Sequence, residues 1–152
     1  MALQVGDTIP HFIAKDTNGA TFDSDSYIGK KTLVIYFYPK DNTPGCTAEA
    51  CSFRDQYEDF LHLGADVIGI SSDSVASHQK FRQQYQLPFI LLSDSDKKIR
   101  KLFGVPSALF GILPGRVTYV VDKKGTIQMF FDSVLAGKHI PKALEAVKKL
   151  AE

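Results

Sequence analysis

The sequence predicts an α/β fold built around a mixed sheet. Runs of β-branched and aromatic residues indicate buried strands, amphipathic segments between them indicate helices, and two strands joined by a tight turn lie near the C-terminus. Strands that alternate with helices favour parallel pairing through right-handed crossovers. The late hairpin adds antiparallel strands, so the expected sheet is mixed.

The first half of the chain is predicted to contain a hairpin, a strand and a helix. The hairpin covers Phe12 to Phe22, with Asn18-Gly19 in its turn. Thr32 to Tyr38 is a continuous apolar run, typical of a strand that is buried on both faces. The turn-rich loop Pro39 to Gly45 leads into a helix from Cys46 to Leu63, whose aromatic residues recur every three or four positions.

The second half is predicted to continue the alternation and to end in a helix. Strands are predicted over Asp66 to Ser71 and Phe89 to Leu92, and helices over Val75 to Tyr85 and Asp96 to Phe103. An apolar loop follows over Val105 to Gly115. The last elements are strands over Arg116 to Asp122 and Thr126 to Phe131 and a helix over His139 to Leu150. This order fits a thioredoxin-like sandwich, with helices flanking a mixed central sheet and an extra N-terminal β-hairpin. We expect a single domain over residues 1–152.

Composition argues against nucleic acid and membranes as partners. The chain has 18 basic and 17 acidic residues and a net charge of +1, so no basic surface field is expected. No apolar run approaches the roughly 18 residues of a membrane span. Residues Met1 to Pro10 lack the charged-then-apolar pattern of a secretory signal.

The cysteines and histidines do not form a metal-ligand pattern. Two cysteines are too few for a disulfide scaffold, and a structural zinc site normally needs four ligands. No metal is therefore expected. Each lone histidine is interpreted as a surface or packing residue, namely His11, His62, His78 and His139.

Cys46 occupies the position that best activates a thiol. Active sites of α/β sheets lie beyond the carboxyl ends of the strands, where the loop Pro39 to Gly45 is predicted. The N–H groups and partial positive charge of a helix N-terminus favour the thiolate of Cys46 over its thiol. Cys51 lies deeper in the helix, which makes it the partner rather than the nucleophile. A pair of inert buried cysteines is the alternative, and it remains open chiefly for Cys51.

The spacing of Cys46 and Cys51 limits when the two sulfurs can bond. In an intact helix, Cα atoms five residues apart are roughly 8.7 Å from one another, whereas a disulfide needs them within about 7 Å. If these cysteines bond, the helix must unwind locally between two catalytic states.

The segment from Pro39 to Asp55 resembles the active-site segment of peroxiredoxins, and its Cys-x4-Cys spacing resembles the Q, or bacterioferritin-comigratory, type. The likeness covers nearly the whole chain. It continues through Val67 to Ser71, Leu87 to Phe89, Leu92 to Asp94, Gly104 to Pro106, Gly115 to Asp122 and Lys138 to Ile140.

Cleavage of a peroxide needs more than a reactive thiolate. Lowering a thiol's pKa from about 8.5 to about 6 raises its reactivity at pH 7 only about twofold, because intrinsic nucleophilicity falls at the same time. Donors that stabilise charge on the breaking O–O bond are therefore needed. The hydroxyl of Thr43, the N–H groups of Gly45 and Cys46 and a cation from another strand are the candidates.

The resemblance implies a role for each site residue. Cys46 is the expected peroxidatic cysteine and Cys51 the resolving cysteine, Pro39 shields the pocket, Thr43 hydrogen-bonds peroxide and thiolate, and Arg116 is the cation beside the sulfur. The implied activity is reduction of hydrogen peroxide and organic hydroperoxides through a sulfenic acid and an intramolecular disulfide, without a cofactor. Thioredoxin or a similar dithiol is the implied reductant, and the implied assembly is a monomer.

Several interpretations remain open. Glu49 pairs with Arg54, complements the helix dipole or orients Arg116. Phe110 and Leu113 line a surface for organic peroxides or a reductant, or they pack over the sheet. The loop that holds them resembles plant and cyanobacterial members. The expected compartment is the cytoplasm for a bacterial or cyanobacterial chain, with the chloroplast as the alternative for a processed plant protein.

Two other functions use the same cysteines. A thiol–disulfide oxidoreductase would act on proteins, but reversible exchange favours Cys-x-x-Cys over the spacing found here. A redox sensor shares the first oxidation step with a peroxidase and differs in having no turnover cycle.

Overall fold

A seven-stranded sheet forms the centre of the molecule, which the computed structural model describes over residues 2–108 and 113–151. With a separate two-stranded ladder, the described residues form β1 (Ile13–Lys15), β2 (Thr21–Asp23), β3 (Thr32–Phe37), β4 (Ala65–Ser71), β5 (Ile90–Ser93), β6 (Ser107–Ala108), β7 (Leu113–Pro114), β8 (Val117–Val121) and β9 (Ile127–Asp132). The helices are α1 (Pro44–His62), α2 (Val75–Tyr85), α3 (Lys98–Phe103) and α4 (His139–Ala151). The sheet order is β2-β1-β5-β4-β3-β8-β9, and β6 pairs with β7 in a separate ladder.

Strand directions make the sheet mixed. β3 is parallel to β4 and antiparallel to β8, β4 is parallel to β5, and β8 is antiparallel to β9. The N-terminal hairpin joins through β1, which lies antiparallel to β5. The predicted α/β fold with a mixed sheet and an extra hairpin is confirmed.

Both faces of β3 are buried, as its apolar sequence predicts. Val34 and Tyr36 pack into a core that also contains side chains of α1, α2 and α4. Leu33, Ile35 and Phe37 point to the opposite face and pack with α3 and the N-terminal hairpin. Alternate residues of a strand face opposite sides, so this strand contributes to both cores.

α1 begins two residues earlier than predicted. Thr43 is the extended residue before the helix, and Pro44 is its first residue. Proline suits this position because its fixed φ matches a helix and its missing N–H would have no partner there. Cys46 is therefore the third helical residue rather than the first, and it still lies in the first turn.

The predicted loop Val105 to Gly115 contains the short strands β6 and β7, with Ser107 opposite Pro114. The predicted apolar loop thus includes a ladder of two residue pairs, which is too short to give a periodic pattern in the sequence. Close backbone approach requires glycine here, since a Cβ on Gly115 would lie 1.8 Å from the carbonyl oxygen of Pro106.

α3, in contrast to α1, begins later than predicted, at Lys98 rather than Asp96. The carboxylate of Asp94 accepts the N–H groups of Ile99 and Arg100 at 2.9 Å each, so it caps the helix from a position further upstream. In the described part of the chain, no helix has the length and apolarity needed to cross a membrane.

Candidate active site

Cys46 lies where β3 gives way to α1, at the carboxyl end of the strand. Its side chain is buried in the core between α1 and the sheet. The N–H of Thr47 donates to the carbonyl of Thr43 at 2.8 Å and so begins the helical ladder. The N–H groups of Gly45 and Cys46 come before this bond, which leaves their partial positive charge near the sulfur.

Arg116 joins Cys46 to Glu49. These two residues of α1 are three positions apart and share a helix face. Arg116 precedes β8, and its Nη2 donates to Cys46 Sγ at 3.4 Å while its Nη1 donates to Glu49 Oε1 at 2.6 Å. The structure thus brings together two residues that are 70 positions apart in the sequence.

Gly45 leaves the space that the guanidinium occupies. A Cβ on this residue would lie 3.0 Å from Arg116 Nη2, closer than nearly all real contacts of this kind. A side chain at this position would therefore require the guanidinium to shift by a few tenths of an ångström. This position explains a glycine immediately before the cysteine without invoking an unusual φ angle.

Glu49 carries an unusual charge environment. Its side chain is fully buried, and burial raises the pKa of its carboxyl from 4.5 to about 7, although Arg116 acts in the opposite direction. Burial lowers the pKa of Arg116, but Glu49 and Cys46 together raise it above its ordinary value. Arg116 therefore remains a cation while Glu49 titrates near neutral pH.

One alternative for Glu49 is not realised in the structure. Arg54 contacts Asp55 at 3.0 Å and donates to the carbonyl of Tyr85 at 2.8 Å. Glu49 pairs with Arg116 instead, as one of the three interpretations expects.

The loop before α1 holds Pro39 and Thr43. Both side chains are half-buried. The Thr43 hydroxyl donates to the carbonyl of Lys40 at 2.8 Å, which closes the loop on itself. A hydrogen bond from Thr43 to peroxide or thiolate stays a prediction, as does the shielding by Pro39.

Comparison with known proteins decides the family. Residues 5–130 match the model of the AhpC/TSA family. The chain belongs to the AhpC/TSA family of peroxiredoxins. It is 51% identical to chloroplastic peroxiredoxin Q of Triticum aestivum over 146 residues, 95% of this chain and 67% of the relative. The corresponding protein of Sedum lineare is 50% identical over 95% of this chain and 78% of the relative.

Solved peroxiredoxin structures have the same fold. Peroxiredoxin Q of Xylella fastidiosa, crystallised as a cysteine-to-serine variant, superimposes with a TM-score of 0.91 at 30% identity and covers 100% of this chain and 99% of that one. Peroxidoxin BcpB of Mycobacterium tuberculosis gives a TM-score of 0.89 at 32% identity over 97% and 98% of the two chains. The predicted thioredoxin-like fold, the Q-type resemblance and the thiol-dependent peroxidase function are confirmed.

Cys51 lies in the same unbroken helix of this peroxiredoxin as Cys46. Both thiols are free, Cys46 being buried and Cys51 half-buried. Because the helix is continuous between them, their Cα atoms are too far apart for a disulfide, as the spacing predicts. The resolving role of Cys51 and the local unwinding stay predictions.

The predicted apolar surface for substrate or reductant consists of Phe110 and Leu113. Phe110 lies outside the described residues. Leu113 belongs to β7, where its backbone pairs with Ala108. The role of both residues in substrate or reductant binding therefore stays a prediction.

Two buried histidines were missed as parts of polar networks. His139 Nε2 donates to the carbonyl of Ser133 at 2.8 Å, and its Nδ1 lies 2.7 Å from the Thr118 hydroxyl and 3.8 Å from Glu49 Oε2. Burial lowers the pKa of His139, and Arg116 adds to the effect. His78 is likewise fully buried, beside Asp41 of the active-site loop. Their partners are distant in sequence, so no local pattern indicates them.

Proposed function

We propose that this peroxiredoxin reduces hydroperoxides with Cys46 as the peroxidatic cysteine and Cys51 as the resolving cysteine. The observation that carries the proposal is the 3.4 Å contact between Arg116 Nη2 and Cys46 Sγ at the N-terminus of α1. A buried cation at this distance stabilises the thiolate and remains available to charge that develops on a bound peroxide.

In the first step, the Cys46 thiolate attacks the terminal oxygen of ROOH. An S–O bond forms, the O–O bond breaks, and the leaving alkoxide takes up a proton to give ROH or water. Cys46 is oxidised to the sulfenic acid. The Thr43 hydroxyl and the N–H groups at the start of α1 orient the peroxide, Arg116 stabilises the developing charge, and Pro39 limits access of water.

In the second step, the Cys51 thiol attacks the sulfenic acid. An S–S bond forms and water leaves, so the two cysteines end as an intramolecular disulfide. This step requires the first turns of α1 to unwind, because the intact helix keeps the two Cα atoms too far apart. A dithiol reductant then restores both thiols and becomes oxidised itself.

The finer assignments of partner, assembly and compartment belong to the same proposal. Hydrogen peroxide and organic hydroperoxides are the substrates, and thioredoxin or a related dithiol protein is the reductant. A bacterioferritin comigratory protein of Xanthomonas campestris with alkyl peroxide reduction activity, 29% identical with a TM-score of 0.86, supports the organic substrates. We place the activity in a single-domain monomer, in the chloroplast for a plant chain or the cytoplasm for a bacterial one.

Intact mass tests the proposal. The reduced protein is mixed with one equivalent of hydrogen peroxide and quenched within seconds. The parent should lose about 2 Da, Cys51→Ser should gain about 16 Da or more, and Cys46→Ser should not change. A parent of unchanged mass would refute the peroxidatic role of Cys46.

Turnover separates the peroxidase from the two other functions. With thioredoxin and its reductase, a peroxidase consumes hydroperoxide continuously, whereas a sensor is oxidised once and then stops. Reduction of a protein disulfide in place of hydroperoxide would identify an oxidoreductase. Cys51→Ser recycling as fast as the parent would show that Cys51 is not the resolving residue.

A further inference from the structure

The active-site loop is anchored by a buried polar cluster on the side of α2. Asp41, in the middle of the loop, is 5% exposed, and its carboxylate has three side-chain partners. Tyr38 donates to Oδ1 at 2.6 Å, Ser77 donates to Oδ2 at 2.8 Å, and His78 Nδ1 lies 2.7 Å from Oδ2. The backbone N–H of Asp41 donates to Asp73 Oδ2 at 2.8 Å.

The ring of His78 has an oxygen acceptor at each nitrogen. Its Nε2 lies 3.0 Å from the carbonyl of Leu92, which can only accept, so Nε2 carries a proton. Its Nδ1 lies 2.7 Å from Asp41 Oδ2, and both side chains are buried. The pair therefore links the loop to α2 and to β5 through bonds that no solvent screens.

The same cluster contains the atoms of a possible metal site, since ligand atoms of Asp41, Asp73 and His78 lie within 4.8 Å of one another. Protein hydrogen bonds already occupy these atoms. Asp73 Oδ2, for example, accepts both the Ser71 hydroxyl at 2.6 Å and the Asp41 N–H. Hydrogen bonds between protein groups therefore account for the arrangement of the cluster.

The anchored loop leads along the chain into the first turn of α1, where Cys46 lies. Asn42, which follows Asp41, has the left-handed φ of 61°, and this sharp turn brings Thr43 back to the Lys40 carbonyl. Thr43 is also the residue from which α1 starts. The place of Asp41 therefore restrains where the Thr43 hydroxyl lies relative to Cys46.

We infer that Asp41 and His78 are positioning residues for peroxide reduction, because their buried pair fixes the loop that holds Thr43 beside the first turn of α1, where Cys46 lies. The inference rests on the proposed role of Cys46. It adds that the rate of the first oxidation depends on a hydrogen-bonded contact with α2 that does not touch the peroxide.

The test measures the first oxidation by itself. In a Cys51→Ser background the reaction stops at the oxidised Cys46, and its rate with hydrogen peroxide is followed by intact mass after rapid quenching. Asp41→Ala removes the acceptor of all three side-chain bonds, and we expect it to slow this step about tenfold or more. Tyr38→Phe removes only one hydroxyl, and we expect a slowing of about threefold.

A matched control separates positioning from general stability. Tyr57 of α1 donates its hydroxyl to the Asp66 carboxylate at 2.7 Å, well away from the loop along the helix. Tyr57→Phe deletes the same kind of tyrosine–carboxylate bond as Tyr38→Phe. Urea unfolding should show that both variants lose stability, whereas only Tyr38→Phe should oxidise more slowly.

Each outcome is informative. If Cys46 of the background protein does not react with hydrogen peroxide, the proposed function fails. If it reacts but Asp41→Ala and Tyr38→Phe match its rate, the function stands and the positioning role is overturned. Equal slowing by Tyr57→Phe, or a stoichiometric metal in the purified protein that Asp41→Ala abolishes, would also overturn it. Should Asp41→Ala not fold, the comparison of the two tyrosine variants decides.

Discussion

Replacing Glu49 by glutamine should change how stability depends on pH. Glutamine has nearly the same size and keeps an oxygen acceptor for Arg116, but it does not titrate. In the folded protein, burial raises the pKa of Glu49 from 4.5 to about 7. At about 1.4 kcal/mol per pKa unit, this difference corresponds to about 3 kcal/mol. Because the side chain is fully buried, solvent does not reduce this figure appreciably.

The sign follows from proton binding. Between pH 4.5 and about 7, the folded chain holds a proton on Glu49 that the unfolded chain has lost. The free energy of unfolding therefore falls by about 3 kcal/mol as pH rises through this window. The stabilising contribution is complete below pH 4.5 and is lost above pH 7. Glu49→Gln lacks this contribution to the pH dependence and should unfold with a flatter profile.

Urea unfolding at a series of pH values measures the effect. The difference in unfolding free energy between parent and Glu49→Gln should change by about 3 kcal/mol across the window, with similar m values. Glu145→Gln is the control, because Glu145 is 63% exposed on α4 and its carboxylate pairs with Lys149, which is also exposed. Parallel profiles for parent and Glu49→Gln would refute the reasoning from burial.

Three further substitutions test the packing around the site. Gly45→Ala should push the Arg116 guanidinium away from Cys46, since its Cβ would lie 3.0 Å from Nη2, and slow the first oxidation about tenfold. Its unfolding free energy should change little, because the helix preference of alanine opposes the cost of shifting Arg116, and a parent-like rate would contradict the steric argument. Arg116→Lys cannot bridge Sγ and the carboxylate, so stopped-flow oxidation should slow by about 10²–10³-fold; a loss below threefold would speak against the cation. Gly115→Ala places a Cβ 1.8 Å from the Pro106 carbonyl oxygen and should lower the free energy of unfolding by about 4 kcal/mol or more, and an unchanged Tm would show that the two segments separate easily.

Local patterns predict the strands and most helices well. The run Thr32 to Tyr38 predicts a buried strand, and all its residues are buried. The repeat of large apolar residues after Cys46 predicts a helix with one buried face. Boundaries are less certain because they depend on single residues. Pro44 starts α1 earlier than the apolar repeat indicates, and Asp94 caps α3 from outside the helix.

The candidate site is predictable only in part. Cys46 can be recognised from its place between a strand and a helix, whereas its contact with Arg116 joins residues far apart in the chain. The family resemblance implies Arg116 as that partner, whereas the local sequence around Cys46 does not indicate it. The raised pKa of Glu49 and the pair of Asp41 with His78 depend on tertiary burial, which no periodicity reveals.

Successive side chains of β3 pack into opposite cores, and this limits how the chain tolerates insertions and deletions. Val34 and Tyr36 face the core beneath α1, and Leu33, Ile35 and Phe37 face the opposite core. Deleting one residue within this strand would exchange the two sets and turn the loop that follows toward the wrong side. Exchanges of one apolar residue for another preserve both layers. The number of residues in β3 is therefore constrained more tightly than their identity.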